Sequence, residues 1–207
     1  MKKKNAFTLV ELLIVISIIA VMAGLLMPAI SGAQNMAKKS TSKNFMTQLA
    51  TSIERYKAEY GYFPEFLTEK DRVNLDDGNA ATNLVKALSG RNPDGSRLSD
   101  SDRNKYNRRM VNFITFDNAN LVKKNNTWKI VDSFGNPNIY ICVDSNGGGA
   151  IKKGYPTISD GLSADSYKEL VPDTANGVRK AVIIFTLQKD QNKDKADYEA
   201  EDIFTWQ

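Results

Sequence analysis

The chain has 207 residues, of which 42% are hydrophobic and 25% are charged, and its formal net charge is +4. This composition is typical of one globular domain with an appendage and excludes a disordered chain. With no histidine and one cysteine, Cys142, the chain excludes Ser–His–Asp and Cys–His catalysis, His-based zinc sites and an intramolecular disulfide. Three positive charges are Lys2, Lys3 and Lys4, and we find no clustered basic face of the kind that nucleic-acid binding requires. We therefore expect neither an enzyme nor a nucleic-acid partner.

The first predicted element is an apolar stretch from Phe7 to Met27 that directly follows the basic start of the chain. At about 1.5 Å per residue, a helix of this length spans roughly 30 Å, the thickness of a bilayer's hydrocarbon core. The lysines before it place its start in the cytoplasm, so the bulk of the chain lies on the outer side. We predict a single membrane-spanning helix.

One carboxylate, that of Glu11, interrupts this apolar stretch. Inserting a charged side chain at the centre of a membrane helix costs about 2.5–3.5 kcal/mol. A secretory signal that is cut off and discarded gains nothing from such a residue. We expect no partner for Glu11 in cis on a monomeric helix. A cut between Ala6 and Phe7 creates a positive α-amino group on Phe7, which pairs with Glu11 of a neighbouring copy in our interpretation. Such a pair enforces assembly and register.

The sequence AFTLVELL, which begins at Ala6, resembles the class III prepilin signal of type IV pilins and type II secretion pseudopilins. Ala6 stands where that family usually has glycine. The resemblance implies that a prepilin peptidase cuts between Ala6 and Phe7 and that Phe7 is then N-methylated. It also implies that Glu11 is the assembly carboxylate and that Pro28 kinks the helix.

A helical stripe continues beyond the membrane segment. Its apolar and aromatic members recur at helical spacing and are Phe45, Leu49, Ile53, Tyr56 and Tyr60. Gly61 and Pro64 predict the end of this helix, so we expect one helix from Phe7 to Tyr60. We predict that the stripe packs against a globular domain, with a partner site as the alternative.

The next stretch, residues 65–109, is polar and rich in turn residues. We predict loops around one helix, at about Ala80 to Ser89, with Gly90 as its end. Its mixed charge is typical of a solvated face, and we see no chemistry in it. Compared with a compact pseudopilin, residues 63–127 resemble an insertion.

Strand signals dominate the remaining sequence. They are MVNFITF, TWKIVD, NIYICVD and AVIIFTL, with the turn SFGNP between the second and third. Hairpin-linked strands after one long helix predict an antiparallel sheet packed on that helix, an α+β fold. Cys142 lies in the third strand, where burial as a small apolar side chain is favoured over a reactive thiol. DSFGNPNIY and EDIFTWQ resemble segments of major pseudopilins, which implies a type IV pilin-like fold.

The segment DQNKDKADYEAE, which begins at Asp190, spaces its oxygen-bearing side chains as calcium loops do, but it lacks the glycine of an EF-hand. The resemblance to major pseudopilins implies a structural calcium in this loop. Asp190 and Asp202 match its side-chain ligands, and Thr186 or Leu187 would add oxygens near the strand end. The alternative is a solvated charge run.

The resemblance implies a structural subunit of a periplasmic pseudopilus in type II protein secretion, anchored in the bacterial inner membrane. Its partners would be other copies of itself, a prepilin peptidase, minor pseudopilins, and an inner-membrane platform with its ATPase. The expected divisions are a leader (1–6), a transmembrane assembly helix (7–27), its amphipathic continuation (28–62), an insertion (63–127) and a β-sheet region (128–207).

Three alternatives stay open from the sequence. A type IV pilin or DNA-uptake pilin shares the same N-terminus, although adhesive pilins often use a C-terminal disulfide, which one cysteine forbids. A minor tip pseudopilin is the second alternative. The third is a periplasmic enzyme or binding protein whose signal is cleaved after Ala33.

Overall fold

The computed structural model describes residues 8–156, 176–187 and 203–206, with the backbone alone for residues 26–29. Its helices are α1 (Leu9–Tyr60), α2 (Glu65–Thr68), α3 (Ala80–Ser89) and α4 (Asp100–Tyr106). Its strands are β1 (Val73–Asn74), β2 (Leu121–Lys124), β3 (Thr127–Ile130), β4 (Ile139–Val143), β5 (Val182–Thr186) and β6 (Ile203–Phe204). A long N-terminal apolar helix with small antiparallel sheets confirms the predicted α+β class. The chain divides into two compact units, Met1–Lys38 and Lys39–Gln207.

The first unit contains the N-terminal part of α1. Every side chain from residue 8 to residue 25 is exposed, and Leu9 reaches 79% exposure. Within the described part of the chain, α1 is the one helix long and apolar enough to cross a membrane, and its most apolar window has a mean hydropathy of 2.8. The helix continues without a break through Pro28. It begins at Leu9 rather than at the predicted Phe7, which lies outside the described residues.

In the second unit, the later part of α1 packs into the hydrophobic core. Phe45, Leu49, Ile53 and Tyr56 are buried, and Tyr60 is partly buried against the same cluster. That cluster also contains the sheet residues Ile139, Ile141, Val182, Ile184 and Ile203. The stripe is therefore a core face, which confirms that prediction over a partner site.

The end of α1 is fixed by a glycine. The Gly61 N–H donates to the carbonyl of Lys57 at 2.8 Å, and the φ of Gly61 is +83°. This left-handed conformation is strained for a residue with a Cβ, so glycine ends the helix without that strain. Gly90 ends α3 in the same way with a φ of +67°, as the sequence predicts.

The strands form two separate antiparallel sheets. One has four strands in the order β1-β4-β5-β6, and the other pairs β2 with β3. The longest pairing joins β4 to β5, from Ile139 opposite Thr186 to Val143 opposite Val182. Cys142 lies in β4 with 1% exposure, and burial raises the pKa of its thiol to about 12. The predicted inert, buried cysteine is thus confirmed.

The predicted hairpin between TWKIVD and NIYICVD is wrong. Both segments form strands, β3 and β4, but β3 pairs with β2 and β4 pairs with β1 and β5. The turn between them is closed as expected, because Asp132 N–H donates to the Asn136 carbonyl at 3.1 Å and Gly135 N–H donates to the Asp132 carbonyl at 3.0 Å. This turn therefore leads the chain from one sheet to the other.

The predicted strand MVNFITF, residues 110–116, is also wrong, because this segment has no strand pairing. Its alternation has another physical origin. Phe113 is buried against Tyr56 of α1, with ring centroids 5.6 Å apart, and its N–H donates to the Leu88 carbonyl at the end of α3 at 2.8 Å. Alternate burial here reflects an extended segment that packs on two helices.

The stretch from residue 65 to residue 109 holds more structure than the single predicted helix. It contains α2, β1 and α4 in addition to α3, and β1 pairs with β4 through Val73 and Asn74. Leu84 and Leu88 of α3 are fully buried in the same core as α1. The stretch is therefore a part of the core rather than loops around one helix.

Candidate assembly site on the N-terminal helix

The first turn of α1 is closed by Thr8 and Glu11. The Thr8 N–H and the Thr8 hydroxyl both donate to Glu11 Oε2, at 2.8 and 2.7 Å. In return, the Glu11 N–H donates to Thr8 Oγ1 at 3.2 Å. This reciprocal arrangement is a capping box, which satisfies backbone donors that a helix start leaves unpaired.

This geometry corrects the expectation that Glu11 lacks a partner in cis. The signal is present in the sequence, because a threonine three residues before a glutamate is the pattern of a capping box. The carboxylate also lies at the positive end of the helix dipole, which favours a negative charge there. Thr8 is thus a functional candidate that the sequence reasoning missed.

The capping box uses one of the two carboxylate oxygens. Both donors from Thr8 reach Oε2, and no described residue donates to Oε1 of Glu11. An ionised carboxylate has about four acceptor positions over its two oxygens, so the capped Glu11 can still accept from an amine. The carboxylate can therefore bind a second group while the helix start stays closed.

The surroundings of Glu11 are apolar and exposed. From residue 9 to residue 25, Glu11 and Ser17 are the polar side chains, and the Ser17 hydroxyl donates to the Ile14 carbonyl at 2.7 Å. A continuous exposed apolar surface of this kind marks a membrane or protein contact. Within this stretch Glu11 is the one charged group, so it is the position at which polar recognition can occur.

The structure describes only some of the other residues predicted for this site. Ala6 and Phe7 lie outside the described residues, so the cut between them and the pairing of Phe7 with Glu11 stay predictions. Pro28 lies inside α1, where the helix is continuous. Its predicted kink also stays a prediction.

Two residues of the predicted calcium site, Thr186 and Leu187, lie at the end of β5. Thr186 is fully buried and pairs with Ile203 of β6, so the chain that leaves β5 after Leu187 returns next to it. The Leu187 carbonyl accepts from Asn136 Nδ2 at 3.3 Å, and a carbonyl oxygen has a second lone pair. Asp190 and Asp202 lie outside the described residues. Over the parts of the chain that are described, no three acidic or cysteine side chains form a metal-binding group.

The turn that precedes β4 links α1 to the end of β5. Asp132 is 1% exposed, and its Oδ1 accepts from the N–H groups of Phe134 and Asn136 at 2.9 and 2.8 Å. Burial raises the pKa of the Asp132 carboxyl. The Ser133 N–H donates to the buried Ser42 hydroxyl of α1 at 3.0 Å. The sequence shows this turn but gives no sign of its contact with α1.

Comparison with known proteins identifies the first part of the chain. A family model described as the prokaryotic N-terminal methylation motif matches residues 1–27. No curated protein and no solved structure matches the chain. The matched range contains Ala6, Phe7, Thr8 and Glu11, so the capping box lies inside the motif.

The motif is typical of membrane-anchored, structural subunits that a prepilin peptidase processes and that assemble into pili or pseudopili. The apolar, exposed part of α1 fits such an anchor. Residues 1–27 of this chain thus carry the prokaryotic N-terminal methylation motif, the class III signal typical of pilins and pseudopilins.

Proposed function

We propose that this protein is a structural subunit of a periplasmic pseudopilus in type II protein secretion. One observation carries the proposal. Inside the methylation motif, α1 presents a wholly exposed apolar surface with a single carboxylate, that of Glu11. An anchor alone needs the apolar surface but has no need of the carboxylate.

In the proposed mechanism, the cut after Ala6 gives Phe7 a positive amine, which is then methylated. Glu11 of one copy accepts from the Phe7 amine of the next copy through Oε1, while Thr8 keeps the helix start closed through Oε2. In lipid each of these charges is expensive alone, so the pair stabilises the assembled state and sets its register. Polymerisation, driven by an ATPase and an inner-membrane platform, then moves folded cargo outward without covalent chemistry.

The choice of a pseudopilin over a pilin depends on features outside the motif. The resemblance of DSFGNPNIY and EDIFTWQ to major pseudopilins supports it, as does the single, buried Cys142. A type IV or DNA-uptake pilin is the second candidate, because the motif in residues 1–27 is typical of pilins as well as of pseudopilins. A periplasmic enzyme is disfavoured by the absence of histidine from the sequence.

Mass spectrometry of the mature protein tests the first part of this proposal. We expect an N-terminus at N-methylated Phe7, and a start after Ala33 would contradict the pilin class.

Deletion of the gene in its own host tests the second part of the proposal, the choice of a pseudopilin over a pilin. Loss of exported folded proteins with intact DNA uptake supports a pseudopilin, whereas loss of DNA uptake alone supports the pilin.

We also propose a structural calcium that Asp190 and Asp202 bind with oxygens from Thr186 and Leu187. The close return of the chain from Leu187 to Ile203 supports it, because it brings both ends of the loop together. Replacing both aspartates by alanine should lower the melting temperature when calcium is present and have little effect with a chelator. An equal loss under both conditions would indicate a solvated charge run instead.

A further inference from the structure

A cavity of about 470 Å³ lies where the chain leaves α3. Three arginines line it, Arg91, Arg97 and Arg103, together with one carboxylate, that of Asp100. Its volume falls in the range of about 300–1,000 Å³ that small-molecule sites occupy. This stretch of sequence suggests only a solvated face of mixed charge, yet the folded chain brings its positive charges together.

The backbone holds two of these arginines opposite each other. Arg91 and Arg97 form an antiparallel bridge around a tight turn, in which the Asn92 N–H donates to the Ser96 carbonyl at 3.0 Å. Residues opposite each other in such a pair have Cβ atoms about 4.5–5.5 Å apart, and like charges at this spacing are destabilising. The fold therefore holds the backbones of two arginines opposite each other, an arrangement that like charges disfavour.

Among the described residues, the carboxylate in this turn forms no ion pair with Arg91 or Arg97. Asp94, in the turn itself, accepts from the Ser96 N–H and hydroxyl at 2.9 and 2.6 Å, and these bonds lower the pKa of Asp94. Asp94 therefore stays ionised, and its hydrogen bonds hold the carboxylate on Ser96.

The lining aspartate is engaged as well. Asp100 lies 3.3 Å from Arg103, although its side chain is 90% exposed. Across the described residues, neither Arg91 nor Arg97 forms an ion pair, and Arg91 Nη1 donates to the Gly95 carbonyl at 3.2 Å. The cavity thus presents two guanidinium groups that a bound anion can neutralise.

Apolar surface lies beside these charges. Leu98 and Met110 also line the cavity, with exposures of 9% and 38%. Met110 has a φ of +56°, an uncommon conformation for a residue other than glycine. An anion with an apolar stem, such as a glutamate side chain, suits this mixture better than a bare inorganic ion.

We propose that this cavity binds an acidic peptide segment of a partner protein, whose carboxylates contact Arg91 and Arg97. A guanidinium group binds a carboxylate through two parallel hydrogen bonds, which makes arginine well suited to this recognition. The site is separate from the N-terminal motif, and the proposal holds whether or not the chain assembles into a filament.

The full-length protein in detergent micelles, titrated with a fluorescent hexaglutamate peptide, tests this site by fluorescence anisotropy. We expect saturable binding that weakens with salt, and no binding of the matching hexaglutamine peptide. Arg91→Gln with Arg97→Gln should weaken binding about tenfold or more, because charge-assisted hydrogen bonds are lost. Arg108→Gln with Arg179→Gln is the matched control, since it removes the same charge from exposed positions outside the cavity. The control should bind within about twofold of the unchanged protein.

Equal weakening in both double variants would overturn the proposal in favour of diffuse charge attraction. Displacement of the peptide by inorganic phosphate at a similar concentration would overturn the peptide as the ligand.

Thermal unfolding provides an independent readout. The Arg91 and Arg97 variant should melt at the same temperature or higher, because two like charges at opposed backbone positions are removed. A clear loss of stability would show that the arginine pair is structural.

Discussion

At the scale of single residues, the proposed mechanism gives Glu11 two tasks that use different oxygens. Its Oε2 closes the first turn of α1 with Thr8, and its Oε1 accepts from no residue that the structure describes. The cap lowers the cost of holding a carboxylate in an apolar segment before a neighbour is present, because part of its hydrogen bonding is already satisfied. Thr8 and Glu11 therefore act as one unit.

Replacing Thr8 tests this unit. Thr8→Val removes the hydroxyl and with it two of the three hydrogen bonds of the capping box, whereas Thr8→Ser retains them. A lost N-cap costs about 1 kcal/mol, so the amide of Glu11 should exchange its hydrogen about fivefold faster in Thr8→Val. Hydrogen exchange in micelles measures this effect. Equal protection in the valine and serine variants would show that the hydroxyl contributes nothing.

A second residue-scale prediction concerns Cys142. Burial raises the pKa of its thiol from 9.0 to about 12 in the folded chain. Between these values the thiol of the unfolded chain ionises while the folded one keeps its proton, so stability falls as pH rises from about 9 towards 12. Urea unfolding at pH 8 and at pH 10.5 should show a smaller pH-dependent loss for Cys142→Ala than for the unchanged protein. An identical loss would mean that this thiol does not contribute to the alkaline sensitivity.

At the scale of elements, the second part of α1 is joined to the turn before β4 by a side chain as well as by core packing. The buried Ser42 hydroxyl accepts from the Ser133 N–H at 3.0 Å. Ser42→Ala leaves the partly buried Ser133 N–H unpaired, which should cost about 1 kcal/mol and lower the melting temperature by a few degrees. Thr51→Ala is the control, since the exposed Thr51 hydroxyl donates only to the Thr47 carbonyl one turn earlier. Thermal unfolding that shows equal shifts for both variants would exclude a role for the Ser42 contact.

The helices and strands also show which parts of the fold sequence patterns can predict. The stripe from Phe45 to Tyr60 and the ends of α1 and α3 could be predicted, because helical spacing and glycine in a left-handed conformation are local properties. The strand predicted at residues 110–116 failed, because alternate burial of Phe113 arises from packing on helices rather than from strand pairing. The neighbours of β3 and β4 depend on contacts between distant segments, which no local pattern contains.

At the scale of the whole molecule, the two candidate sites differ in how far the sequence alone predicts them. Glu11 stands out in the sequence because it is a carboxylate in an apolar run, whereas Thr8 was missed although its spacing from Glu11 is that of a capping box. The pairing of Arg91 with Arg97 could not be predicted, because it depends on the register of a turn within a polar stretch. The methylation motif covers residues 1–27, so the assembly function is supported at one end of the chain. The rest of the chain supplies a core and a second candidate binding site.

The central claim is that Glu11 drives assembly by pairing with the Phe7 amine of a neighbouring copy. The most direct measurement compares Glu11→Leu with the unchanged protein, with filaments observed by electron microscopy and the mature N-terminus determined by mass spectrometry. We predict that the variant still begins at Phe7, because the cut at Ala6 does not use the pair, and that it forms no filaments. Processed Glu11→Leu protein that assembles into normal filaments would contradict the claim.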